Sequence, residues 1–305
     1  MVDIFLNVVL PVLMVAGFGF VLQRRLQPAL TPLSQVSMYV LQPCLIFTSL
    51  VKTNLRSEEP LQILLFTAVL TTVLMVVAGV LARAGRMDRA TTSAFMLSTV
   101  FPNVGNYGLS VVLLAYGQEG LDKAVLVFVL QSILSGTLAV LIASSSSANV
   151  WGAIRSMFRL PQIYAVFAAL AMNLLQIPVP VFIGASAELA SKACIPLMLV
   201  MLGMQIAGTT EFDAPRMVGA AVVTRLLVGV AAAYGVALAL GIGGATRDVL
   251  LIQASMPTAV YTTLMAIEFD ARPRFVTSVV LATTVLSLLT VTALLAVLPG
   301  TAHIS

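Results

Sequence analysis

Charge is what this sequence has least of. Only 9% of its residues are Asp, Glu, Lys or Arg, where soluble domains carry roughly a quarter. A chain that is 60% hydrophobic, with a mean hydropathy of +1.06, is not built for water on all sides. The single histidine, His303, stands in the tail with no ligand set beside it. Paired intramembrane acids and a serine elbow are also missing, which removes the usual constellations of a membrane enzyme. Cys44 and Cys194 lie in apolar stretches beside Pro43 and Pro196, where a thiol acts as a small apolar side chain. They imply neither a disulfide framework nor a metal site, and no cofactor is expected. The 16 basic residues exceed the 12 acidic ones, but they are scattered among short loops, so nucleic acid is not an expected partner.

What the sequence does have is a series of charge-free stretches, each about as long as the ~20 residues that cross a hydrocarbon core. They predict an all-α polytopic membrane protein with ten transmembrane helices, near 3–22, 29–51, 61–82, 90–116, 122–144, 160–177, 186–208, 216–240, 247–268 and 273–298. The first stretch, Ile4 to Leu22, has no basic segment before it and no small-residue cleavage site after it, so it reads as a retained span. Loops on one side collect Arg24, Arg25, Arg83, Arg86, Arg89, Arg155, Arg159, Arg216, Arg272 and Arg274. The other side collects Lys52, Arg56, Lys123, Lys192 and Arg247. Cytoplasmic loops retain positive charge, so the first side is expected to face the cytoplasm. In a bacterial inner membrane both termini would then be periplasmic.

Ser144 to Ser147, followed by Ala148 and Asn149, divides the spans into five and five. The predicted organisation is a first repeat over 1–145, a cytoplasmic linker over 146–159 and a second repeat over 160–305. Pro43 and Pro102 are 59 residues apart, and Pro196 and Pro257 are 61 apart. An odd number of spans per half makes the second half enter from the opposite face, giving a 5+5 inverted repeat.

The strongest local signal is Phe101-Pro102-Asn103-Val104-Gly105-Asn106-Tyr107-Gly108 in the fourth span. Proline removes a helical hydrogen bond and glycine weakens the helix, so a broken helix is expected there. The ninth span carries Gln253-Ala254-Ser255-Met256-Pro257-Thr258-Ala259-Val260-Tyr261 at the matching place. Paired breaks mark a binding site in secondary transporters; the plainer alternative is a pair of kinks with close packing.

These residues carry a resemblance. Leu97-Ser98-Thr99 leading to Pro102-Asn103 and Gly108, Gln253-Ala254 leading to Pro257, and Ala266, Glu268 and Phe269 before Arg272-Pro273 resemble the auxin efflux carrier family and its bacterial, malonate-transporter-like members. The resemblance covers essentially all spans. It implies broken fourth and ninth helices crossing near the midplane, spans 1, 2, 6 and 7 as a scaffold, and spans 3–5 and 8–10 as an elevator-like moving domain. Thr258, Tyr261 and the short central loop depart from plant members, which weighs against auxin as the substrate.

The candidate substrate-binding residues are Pro102, Asn103, Asn106, Pro257, Thr258, Tyr261 and Gln253, with Gln131, which matches a family position. Gln42 reads as packing. Arg225 is the one intramembrane charge; it would either attract an anion or, the favoured reading, bond exposed carbonyls of a broken helix. Glu268 and Asp270 read as solvated loop charges, with pairing to Arg272 or Arg274 as a gate the lesser alternative. No Asp or Glu lies beside either proline, which disfavours a proton-coupled cation antiporter.

The expected activity is therefore movement of a small organic anion, a carboxylate, by elevator-type alternating access. The alternatives are a sodium-coupled solute symporter of related fold, a channel, or a solute-binding membrane receptor without transport. Expected partners are the anion, membrane lipid, and a second copy joined through scaffold helices. The topology is tested with single cysteines and a membrane-impermeant thiol reagent added from the periplasmic side. His303→Cys should be labelled and Ser146→Cys protected; the opposite pattern reverses the assignment.

Overall fold

The computed structural model describes residues 2–55, 57–143, 161–207 and 213–298. The expected linker at 146–159, the serines at 144–147, and Arg56, Arg155, Arg159 and His303 lie outside the described residues. Among the described residues there is no strand; the architecture is helical throughout.

Seven helices are long and apolar enough to cross a membrane: α1 (Phe5–Leu26), α2 (Leu30–Lys52), α3 (Glu59–Ala84), α5 (Val104–Ala139), α7 (Val181–Ala207), α8 (Pro215–Ala239) and α11 (Pro273–Val297). Shorter helices complete the series: α4 (Arg89–Val100), α6 (Pro161–Leu174), α9 (Gly244–Ser255) and α10 (Tyr261–Glu268). Each predicted span thus falls on a helix or on a helix pair interrupted near its middle. The backbone of α5 leaves helical geometry at Gly117, with φ 64 and ψ −158, within the loop expected after residue 116. A positive φ of this kind costs glycine little.

Local chemistry explains several boundaries. Asp88 caps α4, its carboxylate accepting the Thr91 N–H at 2.8 Å; that backbone bond holds the Asp88 carboxyl below its ordinary pKa. Pro60, Pro215 and Pro273 sit in first turns, where a missing N–H breaks no helical bond. Pro196 lies inside α7, which continues through it.

Charges from separate loops meet at the helix ends. Glu188 pairs with Lys52 and Lys192 at 3.6 and 3.3 Å, and Lys123 pairs with Glu59 and Glu119 at 2.8 and 3.0 Å. Their basic members all come from the loops assigned to one face. At the other end Arg272 pairs with Asp213 at 3.0 Å and donates to the Thr91 hydroxyl. Arg272 is thus paired with Asp213 and not with Glu268 or Asp270, the gate that was the lesser alternative from the sequence. Asp270 and Arg272 both have left-handed backbone, φ 51 and φ 45, so the chain turns sharply between them and carries Arg272 onto other elements.

Two helix pairs hold α1, α2, α6 and α7 together. Asn173 of α6 donates through Nδ2 to the Leu50, Val51 and Thr53 carbonyls at 2.8–3.0 Å, and so finishes the C-terminus of α2. Gln162 also donates to Gln42, which itself donates to Ser37. Gln42 is therefore interhelical packing, as the sequence favoured. Between α1 and α7 the backbones nearly touch. A Cβ on Gly19 would stand 1.9 Å from the Val200 carbonyl oxygen, and one on Gly203 would stand 1.7 Å from that of Ala16. Small residues permit such approach in membranes, where dispersion replaces the hydrophobic effect between helices. Because both obstacles are backbone, Gly203→Ala must force the helices apart. Overpacking typically costs about 1–3 kcal/mol, so a lower melting temperature in detergent is expected, against little change for Gly235→Ala, where a Cβ meets nothing within 4 Å.

Candidate functional site

Helix α4 stops at Val100 and α5 starts at Val104, with Phe101 extended between them (φ −102, ψ 105). Helix α9 stops at Ser255, Met256 is extended (φ −62, ψ 147), and α10 starts at Tyr261. The two extended segments run antiparallel with Pro102 opposite Thr258. The Asn103 N–H donates to the Pro257 carbonyl at 2.7 Å and the Ala259 N–H to the Phe101 carbonyl at 2.9 Å. Both expected breaks exist, and they cross.

In hydrocarbon every freed backbone group needs a protein partner, and the prolines dictate which groups are freed. An α-helical carbonyl accepts from the N–H four residues on; for Ser98 that residue is Pro102, which has none. The Thr258 hydroxyl takes the vacant place, donating to the Ser98 carbonyl at 2.6 Å. Thr258 N–H, diverted from its own helix, donates to Thr283 Oγ1 at 3.1 Å. Arg225, wholly buried in α8, meets the remaining ends. Its Nη1 donates to the Thr99 carbonyl at 2.8 Å and reaches that of Val100 at 3.4 Å, while Nη2 donates to the Ala254 carbonyl at 2.6 Å. One guanidinium therefore closes the C-termini of both α4 and α9, the role favoured for it from the sequence.

The helices leaving the crossing present their N-termini, where the first N–H groups lack helical partners and carry partial positive charge. Gly105 lets the first turn of α5 press against Phe128 and Met198; a Cβ there would lie 2.8 and 3.1 Å from their side chains. Met198 belongs to α7, so this turn borders the α1, α2, α6 and α7 group. Asn103 and Thr258 each follow a crossing proline, yet their side chains differ in what remains free. Thr258 is spent on Ser98. Asn103 is 5% exposed, and its Nδ2 has no hydrogen-bond partner among the described residues.

Two further amides lie close by. Gln131 and Gln253, together with Thr67, Thr71, Val100, Pro102 and Ala254, line a cavity of about 20 Å³, the space of roughly one water molecule. Gln131 Nε2 and both polar atoms of Gln253 have no partner among the described residues; Gln131 Oε1 stands 3.4 Å from Thr71 Oγ1. Gln253 Oε1 also faces Gly108, where a Cβ would be only 2.1 Å away. Tyr261 meets Phe101 edge to face, with centroids 6.1 Å apart. Asn106 is half-buried, and its carbonyl accepts from Ser110 at 3.4 Å. All eight expected residues thus lie on the crossing or on helices packed against it. Ser98, noted only for the family resemblance, and Thr283 were not among the expected site residues. Ser98 had a signal, its place four residues before a proline; Thr283 had none. No group of three or more His, Cys, Asp or Glu gathers for a metal among the described residues.

A family model described as a membrane transport protein matches residues 4–152 and 151–295. The chain is 27% identical over 259 residues to an uncharacterized transporter of Methanothermobacter thermautotrophicus, covering 84% of this chain and 85% of that protein. It is 25% identical over 275 residues to an uncharacterized transporter of Methanocaldococcus jannaschii, covering 85% and 86%. A Rhizobium meliloti protein provisionally named a malonate transporter is 24% identical over 273 residues, covering 85% and 83%.

The crossing itself can be tested by removing one hydroxyl. Thr258→Val keeps the shape and leaves the buried Ser98 carbonyl without a donor, at a cost of about 1–3 kcal/mol. Thermal unfolding should show that loss, and Thr258→Ser should recover most of it; equal stability of all three proteins would remove the bond from the account.

Proposed function

The chain belongs to the membrane transport protein family, that of the auxin efflux carriers, and from this premise we propose that it carries a small organic anion, a mono- or dicarboxylate, across the membrane. The observation that carries the reading is the unpartnered, buried Asn103 amide beside the N-termini of two half-helices, with no acidic side chain at the crossing. Helix N-termini bind carboxylates and phosphates through free N–H groups and their dipole. The Asn103 amide adds two donors, and Gln131 and Gln253 supply more. Thr258, whose hydroxyl is committed to Ser98, holds the crossing and leaves the ligand to Asn103. The provisional name of the Rhizobium relative supports a carboxylate.

A cavity of about 20 Å³ is far smaller than any carboxylate, so loading requires the surroundings of the crossing to part. In the proposed mechanism α3–α5 and α8–α11 move as one body against α1, α2, α6 and α7. The ten-span, 5+5 inverted arrangement is supported by the paired breaks and by reciprocal packing. Span 1 lies on span 7 through Gly19 and Gly203, and span 2 lies on span 6 through Gln42, Gln162 and Asn173. An inverted twofold that exchanges spans 1 with 6 and 2 with 7 turns either contact into the other. Placement in a bacterial inner membrane with periplasmic termini and assembly as a dimer through the scaffold belong to the same reading.

The test is a carboxylate flux screen in proteoliposomes, followed by affinity and stability measurements on one variant. A hydrogen bond to a charged group is worth about 1.5–3 kcal/mol, so Asn103→Ala should weaken affinity about tenfold to a hundredfold with the melting temperature retained. Asn103→Asp should be worse, since it sets one carboxylate against another. Unchanged affinity for every transported anion would take Asn103 out of the site.

A further inference from the structure

We propose that Arg225 stands where a carrier of this architecture would otherwise hold a coupling cation, so that the anion is moved without Na⁺. In transporters with broken helices, unwound carbonyls and half-helix C-termini are the groups that coordinate Na⁺. Here the carbonyls of Thr99, Val100 and Ala254, at the ends of both α4 and α9, are held by one guanidinium. Each C-terminus carries roughly half a negative elementary charge, so the pair matches a single fixed positive charge. Nothing of that sign is left over to draw in a second cation.

The neighbouring cavity gives the same answer. Thr67 Oγ1 bonds the Ile63 carbonyl, and Thr71 Oγ1 the Thr67 carbonyl with Gln131 Oε1 at 3.4 Å; these hydroxyls and the Gln131 and Gln253 amide oxygens line the cavity and are the neutral oxygen type that binds Na⁺. But Val100 and Ala254 line that cavity too, and both are in contact with Arg225. A Na⁺ placed there would sit against a permanent positive charge, with no acidic side chain on α3, α5, α8 or α9 facing it at that depth. Guanidinium does not give up its proton in proteins, so Arg225 does not serve as a proton carrier either. Its place is built: Gly229, one turn on, leaves room for the guanidinium, and a Cβ there would stand 3.0 Å from Nη2. With the C-termini compensated inside the protein, the two N-termini stay uncompensated and are the charge that the substrate sees.

The transport consequence rests on the carrier reading, but the ion question can be decided without it. Melting temperatures of the purified protein are compared in NaCl and in choline chloride of equal ionic strength. The wild type should melt alike in both. Arg225→Ala should melt lower in choline chloride and regain part of the loss in NaCl, and Arg225→Lys should stay indifferent to Na⁺. A Na⁺-specific rise for the wild type overturns the proposal, as does an Arg225→Ala protein that is as stable as wild type or destabilised equally in both salts. If Arg225→Ala cannot be purified, the wild-type comparison still decides. In proteoliposomes held at a fixed potential, replacing Na⁺ by choline should leave carboxylate flux unchanged, and collapse of that flux refutes the inference. Absence of carboxylate flux in either salt refutes the carrier reading alone, leaving the melting comparison to settle the ion.

Discussion

Two prolines at membrane depth create a debt of backbone hydrogen bonds, and most of the structure around them is organised by how that debt is met. Pro102 and Pro257 remove two donors and break two helices, leaving carbonyls that hydrocarbon cannot solvate. The partners come from the opposite broken helix and from α8: Asn103 with Pro257, Ala259 with Phe101, Thr258 with Ser98, and Arg225 with both helix ends. Each break is therefore tolerable only in the presence of the other. A single broken helix would strand the Ser98 carbonyl, which Thr258 of the other break satisfies, while Arg225 meets that of Thr99.

This arrangement separates the two electrical ends of the broken helices. The negative C-termini are met inside the protein by Arg225, whereas the positive N-termini face a region that offers neutral amides. A charged side chain at the ligand position would be costly to bury when the substrate was absent. Helix ends and amides avoid that cost while still favouring an anion. The equivalent residues Asn103 and Thr258 divide the work, one left available and the other used to hold the crossing.

Much of this was legible in the sequence because it is written locally. Proline and glycine in the middle of an apolar stretch identify a broken helix without knowledge of any neighbour, and Arg225 in a span demands acceptors. What could not be read is which distant residues meet. Asn103 and Thr258 looked alike as polar residues after a proline, and only the register of the crossing shows that Thr258 reaches Ser98. Nothing in the sequence joined Arg272 to Asp213, 59 residues away; two residues with left-handed backbone carry it there. The contact between Gly19 and Gly203 was hidden for another reason. Small residues are common in membrane helices, and nothing in α1 alone distinguishes Gly19 from Gly17, at which a Cβ would meet nothing.

The distribution of polar bonds also bears on where the molecule can divide. Bonds from Arg225, Thr258 and Arg272 tie α4, α8, α9 and α11 together, and Lys123 and Thr246 meet on Glu59 to join α5 and α9 to α3. Asn173 and Gln162 do the same for α6 and α2. Between these two groups the contact at the site is largely apolar, with Gly105 and Phe128 against Met198. A second cavity of about 20 Å³ lies on the same boundary, among Ile46, Val129, Ser132 and Val166. Ser49 donating to Asp122 at 2.7 Å is a polar link across it, near the helix ends that carry Lys52 and Lys123. Separating apolar surfaces within a membrane loses mainly dispersion contacts, because lipid tails can take the place of either face. Separating α4 from α9 would strand carbonyls around a buried guanidinium. The proposed motion therefore has one inexpensive plane to follow, and it is the plane that leaves the crossing whole.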